Sequence, residues 1–537
     1  MNKIDLLDCT LRDGAYIVDA KFGMPAIKGI IKKMQDANAE IVECGWLKNS
    51  EHELGTTFYH VPGDLEHYLI EKKANCTYTV MIDWDRYDLD YLPMCDGNSV
   101  DAVRVVFPHG KAKEGVVVGK EIIKKGYKVF IQAANTLAYS EDDLIELAKE
   151  VNESNVETLS IVDTFGAMYH DDLERILEIL DRELRLDVAI GFHSHNNQQL
   201  SFALTIHFIE WLSKNSTRKA VVDASLCGMG RGAGNATTEL IANYLNMKKY
   251  GNYDMDLIMD AIDTYMQPFQ ENYTWGYSTP YFIAGMYCCH VNNIAYLIQN
   301  HRTNAKDMRN IIQSLSPEDR KKYDYDLLEQ KYIENQNRIV DDNETIQQLK
   351  REFENKTILL IAPGKRVLTQ KERVDKYIAE NNPVIIQVNA LAENYEADYL
   401  FLINNIRYEY AKNTYTEKFH NTPKILLSSV KNKGDLDEKV VSFSSVVKTG
   451  WEHFDNAVIY CLRLLDRIGV DKVAIAGFDE FSKEVKANYA DKSLPVLEAR
   501  LDYNELNKDI CEMFGDFLQT SISKMQVEFV TDTEFAK

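Results

Sequence analysis

The sequence predicts an α/β protein in two parts: a closed (β/α)8 barrel, then a helical extension leading to a second, smaller domain of open, Rossmann-like α/β type. Three observations predict it. From residue 4 to about 250, short apolar strands alternate with amphipathic helical stretches, and eight such units in that length match the rhythm of a closed barrel. An open doubly wound sheet shares the alternation, but it usually has fewer strands and a glycine-rich phosphate turn after the first, and that turn is absent here. Polar residues stand just beyond the strands, where a barrel collects them at its C-terminal mouth.

The strands are expected at 4–8, 39–44, 77–84, 101–107, 128–134, 157–163, 187–193 and 220–226, with helices at 26–37, 65–73, 119–125, 140–150, 171–182 and 198–212. The first strand, Ile4-Asp5-Leu6-Leu7-Asp8, is apolar and ends in an Arg12-Asp13-Gly14 turn. The seventh is apolar at Val188-Ala189-Ile190 and turns polar at Asn196-Asn197-Gln198. The eighth, Ala220-Val221-Val222-Asp223-Ala224, runs into a loop with four glycines between 228 and 234. These boundaries assign 1–250 to the barrel. Residues 251–355 show helical spacing. Aromatics crowd 265–297, read as a core packing on the barrel or on a second subunit, and Cys288-Cys289 is read as part of a buried helical segment. The charged stretch 301–354 reads as a solvated connecting arm. A composition shift near Lys356 opens the domain 356–537, with strands from 357 and at 384–388, 399–403, 424–428, 440–443 and 473–476, and a helix at 454–468. Its Ala362-Pro363-Gly364-Lys365 turn is a weak candidate anion site, at Gly364 and Lys365.

The chain carries a formal charge of −22, which argues against non-specific nucleic-acid binding, since that needs basic surface. No apolar stretch is long enough to span a bilayer, and the N-terminus runs straight into a strand rather than a signal peptide. Nine cysteines show no zinc-knuckle spacing. A reduced, cytoplasmic protein is the expectation.

Candidate chemistry lies in three segments, each just after a strand. His193 and His195 are two apart on a strand end, so both imidazoles point the same way and can share one metal ion; the plain alternative is two surface histidines. Asp13 offers a hard oxygen ligand beside the fixed charge of Arg12, or else the two form a surface ion pair. The 228–234 loop lets backbone approach a ligand and presents the Asn235 amide oxygen, or else it is a flexible loop.

Together, Asp8-Cys9-Thr10-Leu11-Arg12-Asp13-Gly14, Asp163-Thr164-Phe165-Gly166, Gly191-Phe192-His193-Ser194-His195-Asn196 and Gly228-Met229-Gly230-Arg231-Gly232-Ala233-Gly234-Asn235 resemble the HMG-CoA lyase-like (DRE-TIM metallolyase) superfamily over about residues 1–300. Within it the chain looks most like proteins related to 4-hydroxy-2-oxovalerate aldolase, on Trp275-Gly276-Tyr277-Ser278 and Cys289-His290-Val291-Asn292 as well. The resemblance implies a TIM barrel whose divalent ion is held by Asp13, His193 and His195, with Asn235 as a further ligand, and whose Arg12 stabilises an enolate. One position departs: the family's aldolase has a histidine base three residues after the metal aspartate, and here that residue is Tyr16.

The reading that follows is a metal-dependent aldolase or lyase joining or splitting a pyruvate-type 2-oxo acid and an aldehyde through a metal-stabilised enolate. The mixed oxygen and nitrogen ligands suit Mn²⁺ or Mg²⁺, with Zn²⁺ or Co²⁺ as alternatives. Tyr16 is the first candidate for proton transfer and His290 the second; Glu43, Asp83, Asn135, Thr164 and Tyr277 are candidates for orienting substrate. Two alternatives stand beside it: a Claisen synthase joining acyl-CoA to a 2-oxo acid, and a non-catalytic barrel serving as scaffold. The fused domain suggests carbohydrate or cell-surface polymer synthesis, and the aromatic helical stretch a homodimer or higher oligomer.

Overall fold

The computed structural model describes residues 3–301, 303–336, 340–430, 438–483, 488–496 and 502–536. The chain divides into two compact units, Met1–Val291 and Asn292–Lys537. In the first, eight parallel strands follow one another: β1 (Ile4–Asp8), β2 (Ile41–Leu47), β3 (Thr77–Asp83), β4 (Ala102–Phe107), β5 (Lys128–Ala133), β6 (Thr158–Asp163), β7 (Ala189–Ser194) and β8 (Ala220–Ala224). Each pairs with the next, and β1 pairs with both β2 and β8, so the sheet closes into the TIM barrel that the alternation predicts. β2 runs past its expected end because Gly45, at φ 149°, lets it bulge between Glu43 and Trp46 and resume pairing.

Period-two alternation sorts the strand residues into two sets. Leu6, Val42, Val103, Ile131, Leu159, Ile190 and Val222 face outward into the layer of helices. Leu7, Ile41, Ala102, Phe130, Ala189 and Val221 face inward and plug the barrel floor. Burying each such large side chain stabilises the fold by about 1.5–3 kcal/mol. One inward step higher the residues turn polar: Glu43, Arg104, Gln132, Ser160 and Asp223, all buried. The barrel is therefore a solid apolar plug carrying a polar layer beneath its mouth.

Of the expected helices, 65–73 does not form. A 3₁₀ segment, Pro62–His67, gives way to irregular chain. Leu65 and Tyr68 are buried, but the positions one turn further on are Lys72 and Lys73, so the apolar stripe is a single turn long and cannot hold a helix. Cys288-Cys289 is likewise not helical. It forms the turn between the helices Thr279–Met286 and Val291–Asn300, where Cys288 takes φ 49° and Cys289 is buried. None of the nine cysteines is joined in a disulfide among the described residues.

The second unit holds an all-parallel sheet: β9 (Ile358–Ile361), β10 (Val384–Val388), β11 (Tyr399–Leu402), β12 (Lys424–Leu427), β13 (Glu438–Val441), β14 (Lys472–Ala476) and β15 (Gln526–Phe529), in the order β13-β12-β11-β10-β9-β14-β15. The edge strand β15 was not expected, since Gln526-Val527-Glu528-Phe529 has no continuous apolar run. The helical stretch 251–355 is shared between the units. Ala305–Ser314, Tyr325–Gln336 and Asn343–Phe353 are packed helices of the second unit rather than a solvated arm, because each buries an apolar stripe, as with Met308, Ile311 and Ile312. Asp342 also pairs with Arg467 at 2.5 Å. Among the described residues, no helix is long and apolar enough to cross a membrane.

Candidate metal centre at the barrel mouth

Three strand ends build the site. After β1 the chain enters a short helix, Thr10–Asp13. Asp8 anchors this turn by accepting from the Thr10 N–H (3.1 Å) and the Thr238 hydroxyl (2.7 Å), while the Thr10 hydroxyl accepts from Leu226 N–H (2.8 Å). The segments after β1 and β8 are thus laced together, which sets Asp13 beside the glycine-rich loop. That loop must pass close. A Cβ on Gly230 would lie 2.8 Å from Asp13 Oδ2 and would run into the Asn235 amide. At the end of β7, His193 and His195 project to the same side with rings 4.9 Å apart and nearly perpendicular.

The ligand-capable atoms of Asp13, His193 and His195 all lie within 4.8 Å of one another. Asp13 Oδ2 stands 3.6 Å from His195 Nε2 and 3.9 Å from His193 Nε2. Among the described residues, Asp13 Oδ2, His193 Nε2 and Asn235 Oδ1 are buried without a hydrogen-bond partner. Buried polar atoms are seldom left so, and a cation is what acceptors of this kind lack. The other ring nitrogens are occupied: His193 Nδ1 meets Asp223 at 3.0 Å, and His195 Nδ1 meets the Asp163 carbonyl at 3.1 Å. A proton on each Nδ1 leaves each Nε2 as a lone pair, the form a metal takes. Burial pushes His193 down to about 4, against the pull of Asp223, so it is neutral at physiological pH. Burial raises the Asp13 carboxyl, but Arg12, His195 and His193 together hold it well below the usual carboxylate range. The donor set fits a divalent ion.

Beneath the mouth runs an alternating charge network. Arg12 donates through Nη1 to Asp13 (2.6 Å) and through Nε to Glu43 (2.7 Å). Arg104 donates to the same Glu43 oxygen (2.7 Å), to Gln132 (2.8 Å) and to Asp223. Asp223 then closes on His193. Burial costs each of these ions, and each opposite neighbour offsets that cost. Asp223 accordingly sits below its ordinary value despite burial, because of Arg104 and His193. Sequence reasoning missed Arg104, Gln132 and Asp223. Their signal was present: a charge at an inward position within an apolar strand, as in Ala102-Val103-Arg104-Val105.

The remaining expected residues fall as follows. Tyr16 stands half exposed at the rim, edge-on to Trp46 (6.1 Å), with Arg231 over its ring (4.6 Å). Desolvation raises its hydroxyl pKa although Arg231 opposes this. His290 lines a recess with His195, Arg231 and Thr164; burial, then Arg231, pushes it down to about 3. Asn135 adopts φ 55° and its N–H donates to the Thr164 hydroxyl at 2.6 Å. Tyr277, well exposed, lines a separate recess with Asn235 and Trp275. Asp83 ends β3, raised by burial with Lys48 opposing. Glu43 lies one layer below the mouth, fully enclosed, so its reach to a ligand passes through Arg12. Gly364 and Lys365 belong to the second unit. There Gly364 N–H donates to the Gly477 carbonyl (3.0 Å), and the neighbouring Arg366 N–H is taken by Asp479 (2.8 Å).

Fold and donor set together define a TIM barrel with a candidate carboxylate–imidazole metal site at the C-terminal ends of its strands. Residues 111–265 match the model of the HMGL-like family. The chain is 24% identical over 262 residues to oxaloacetate decarboxylase of Mycobacterium tuberculosis, covering 48% of this chain and 74% of that protein. It is 25% identical over 286 residues to 4-hydroxy-2-oxovalerate aldolase of Geobacillus genomosp. 3, covering 50% and 78%. Among solved structures, the Bacillus subtilis HMG-CoA lyase aligns at 16% identity and a TM-score of 0.40, covering 49% of this chain and 91% of that one.

Proposed function

We propose that the barrel is a divalent-metal-dependent carbon–carbon lyase acting next to a pyruvate-type 2-oxo acid, with an aldehyde as the second reactant. The observation that carries this reading is the cluster of buried acceptors without donors, Asp13 Oδ2, His193 Nε2 and Asn235 Oδ1, beside the Arg12 guanidinium. The relatives named decarboxylase and aldolase support the same class of chemistry. Asp13, His193, His195 and Asn235 would hold the ion. When bound, it supplies Lewis acidity toward a 2-oxo acid's carboxylate and keto oxygens. Mn²⁺ or Mg²⁺ suits this donor set, ahead of Zn²⁺ or Co²⁺.

The chain's own groups do the rest. Arg12 is locked by Glu43 and Asp13, and its remaining N–H donors stabilise negative charge as it develops on the keto oxygen, an effect of about 3 kcal/mol for one well-placed donor. Tyr16, kept protonated by its surroundings, serves as the proton donor to the enolate carbon. His290, kept neutral, accepts the proton of the substrate hydroxyl. Thr164 and Asn135 shape the recess that receives the aldehyde portion. A homodimer in the cytoplasm belongs to this reading; light scattering of the purified protein tests the oligomeric state.

The direct test is exchange of the pyruvate C3 hydrogens for deuterium in D₂O with added Mn²⁺. It detects enolate formation without knowledge of the aldehyde. Exchange that depends on both Mn²⁺ and His193 supports the reading, and its absence with Mn²⁺ retained by the protein would sink it.

A further inference from the structure

The second unit carries features that lyase chemistry leaves unused. Its chain leaves β9 toward one edge, through β10 to β13, and returns on the other side of β9 as β14. The crevice beyond the carboxyl ends of β9 and β14 is therefore the topological switch point, where open α/β sheets take ligands. A cavity occupies that place, lined by the segments that follow β9, β10, β11 and β14.

Two helix starts and one arginine face it, beside the carboxylates of Asp307, Asp455 and Asp479. Two helices begin at its wall: Asn405–Thr414, capped by Asn404, and Ala457–Arg467, capped by Asn456. Their N-terminal ends favour an anion. Arg407 adds a full charge to the lining; it is 3% exposed and lies 4.9 Å from the centre of the Tyr489 ring. The carboxylates of Asp307 and Asp455 also line the cavity, but protein donors hold them: Asn304 on Asp307, and the Tyr332 and Tyr460 hydroxyls on Asp455. By contrast, Asp479 Oδ1 and Asn389 Oδ1 are buried acceptors that no donor meets among the described residues.

An inorganic anion set against the helix ends beside Arg407 would leave both acceptors unmet. A molecule bearing a phosphate, sugar hydroxyls and a ring N–H or amino group answers all of them. We propose that this cavity binds a nucleotide, with its phosphate at the two helix starts and Arg407, its ribose hydroxyls donating to Asp479, and its base donating to Asn389 among Phe443, Phe478 and Tyr489.

The test is isothermal titration of the full chain with CMP, UMP, AMP and GMP, and with inorganic phosphate beside them. At least one nucleotide binds one per chain, about tenfold or more tighter than phosphate. Arg407→Gln and Asn389→Gly each weaken that binding by about tenfold, while Mn²⁺-dependent pyruvate exchange stays as in the wild type. Asn389 holds φ 59°, which glycine adopts freely, so its variant keeps the backbone should the Arg407 variant fail to fold. No heat from any of the four nucleotides, nucleotide binding no tighter than phosphate, or affinity unmoved by both variants overturns the proposal. The readout is binding heat in the second unit, so failure of the lyase reading leaves this test intact.

Discussion

His193 joins two roles in one ring: Nε2 faces Asp13, while Nδ1 is held by Asp223. His193→Ala removes a ligand and opens a buried hole, so manganese retention after desalting and pyruvate exchange are both expected to vanish. Tyr16→Phe keeps the ring on Arg231 and Trp46 but removes the hydroxyl; turnover should fall about 10²-fold or more while the ion stays bound, measured by metal content and rate together. The protonation of His193 also sets a pH dependence. Its folded value of about 4 lies below the 6.5 of an unperturbed imidazole. As pH falls below 6.5 the unfolded chain takes up a proton that the folded ring refuses, so this stabilisation is whole above pH 6.5 and is lost as pH falls toward 4. Metal-stripped protein should lose about 2 kcal/mol from this group between pH 7 and pH 5, and the loss should be absent in His193→Gln, read by urea denaturation of both.

At the scale of the element, the strands act as a rack for charge. β2, β4 and β8 each insert one ion, Glu43, Arg104 and Asp223, into the layer above the apolar plug, and β5 adds the Gln132 amide. Removing one member strands its partners without water. Arg104→Met should therefore destabilise the barrel by about 3–5 kcal/mol in chemical denaturation, far more than its loss of contacts alone. The same element logic explains where sequence reading failed. The strands were legible because parallel strands buried on both faces read as apolar runs. The 65–73 helix was not, because its apolar residues end after one turn, and β15 was not, because an edge strand has little to bury.

At the scale of the molecule, a ligand of the barrel should stabilise the unit that holds its site. Manganese at 100 times its dissociation constant should stabilise the barrel by about 2.7 kcal/mol. Scanning calorimetry should show the barrel's transition moving upward with manganese and returning with a chelator, and an unmoved transition would contradict metal binding there. The amino-acid order alone determined the alternation that closes the barrel, the His193 and His195 pair, Asp13 beside Arg12, and the glycine loop leading to Asn235, because period-two spacing and strand-end position are local properties. Only the tertiary structure decided that Glu43 braces Arg12, that Arg104 and Asp223 reach His193 from strands more than one hundred residues apart, and that Asp479 already takes the Arg366 N–H beside Gly364. Those pairings depend on which strands become neighbours across the barrel and the sheet, and no stretch of local sequence records that.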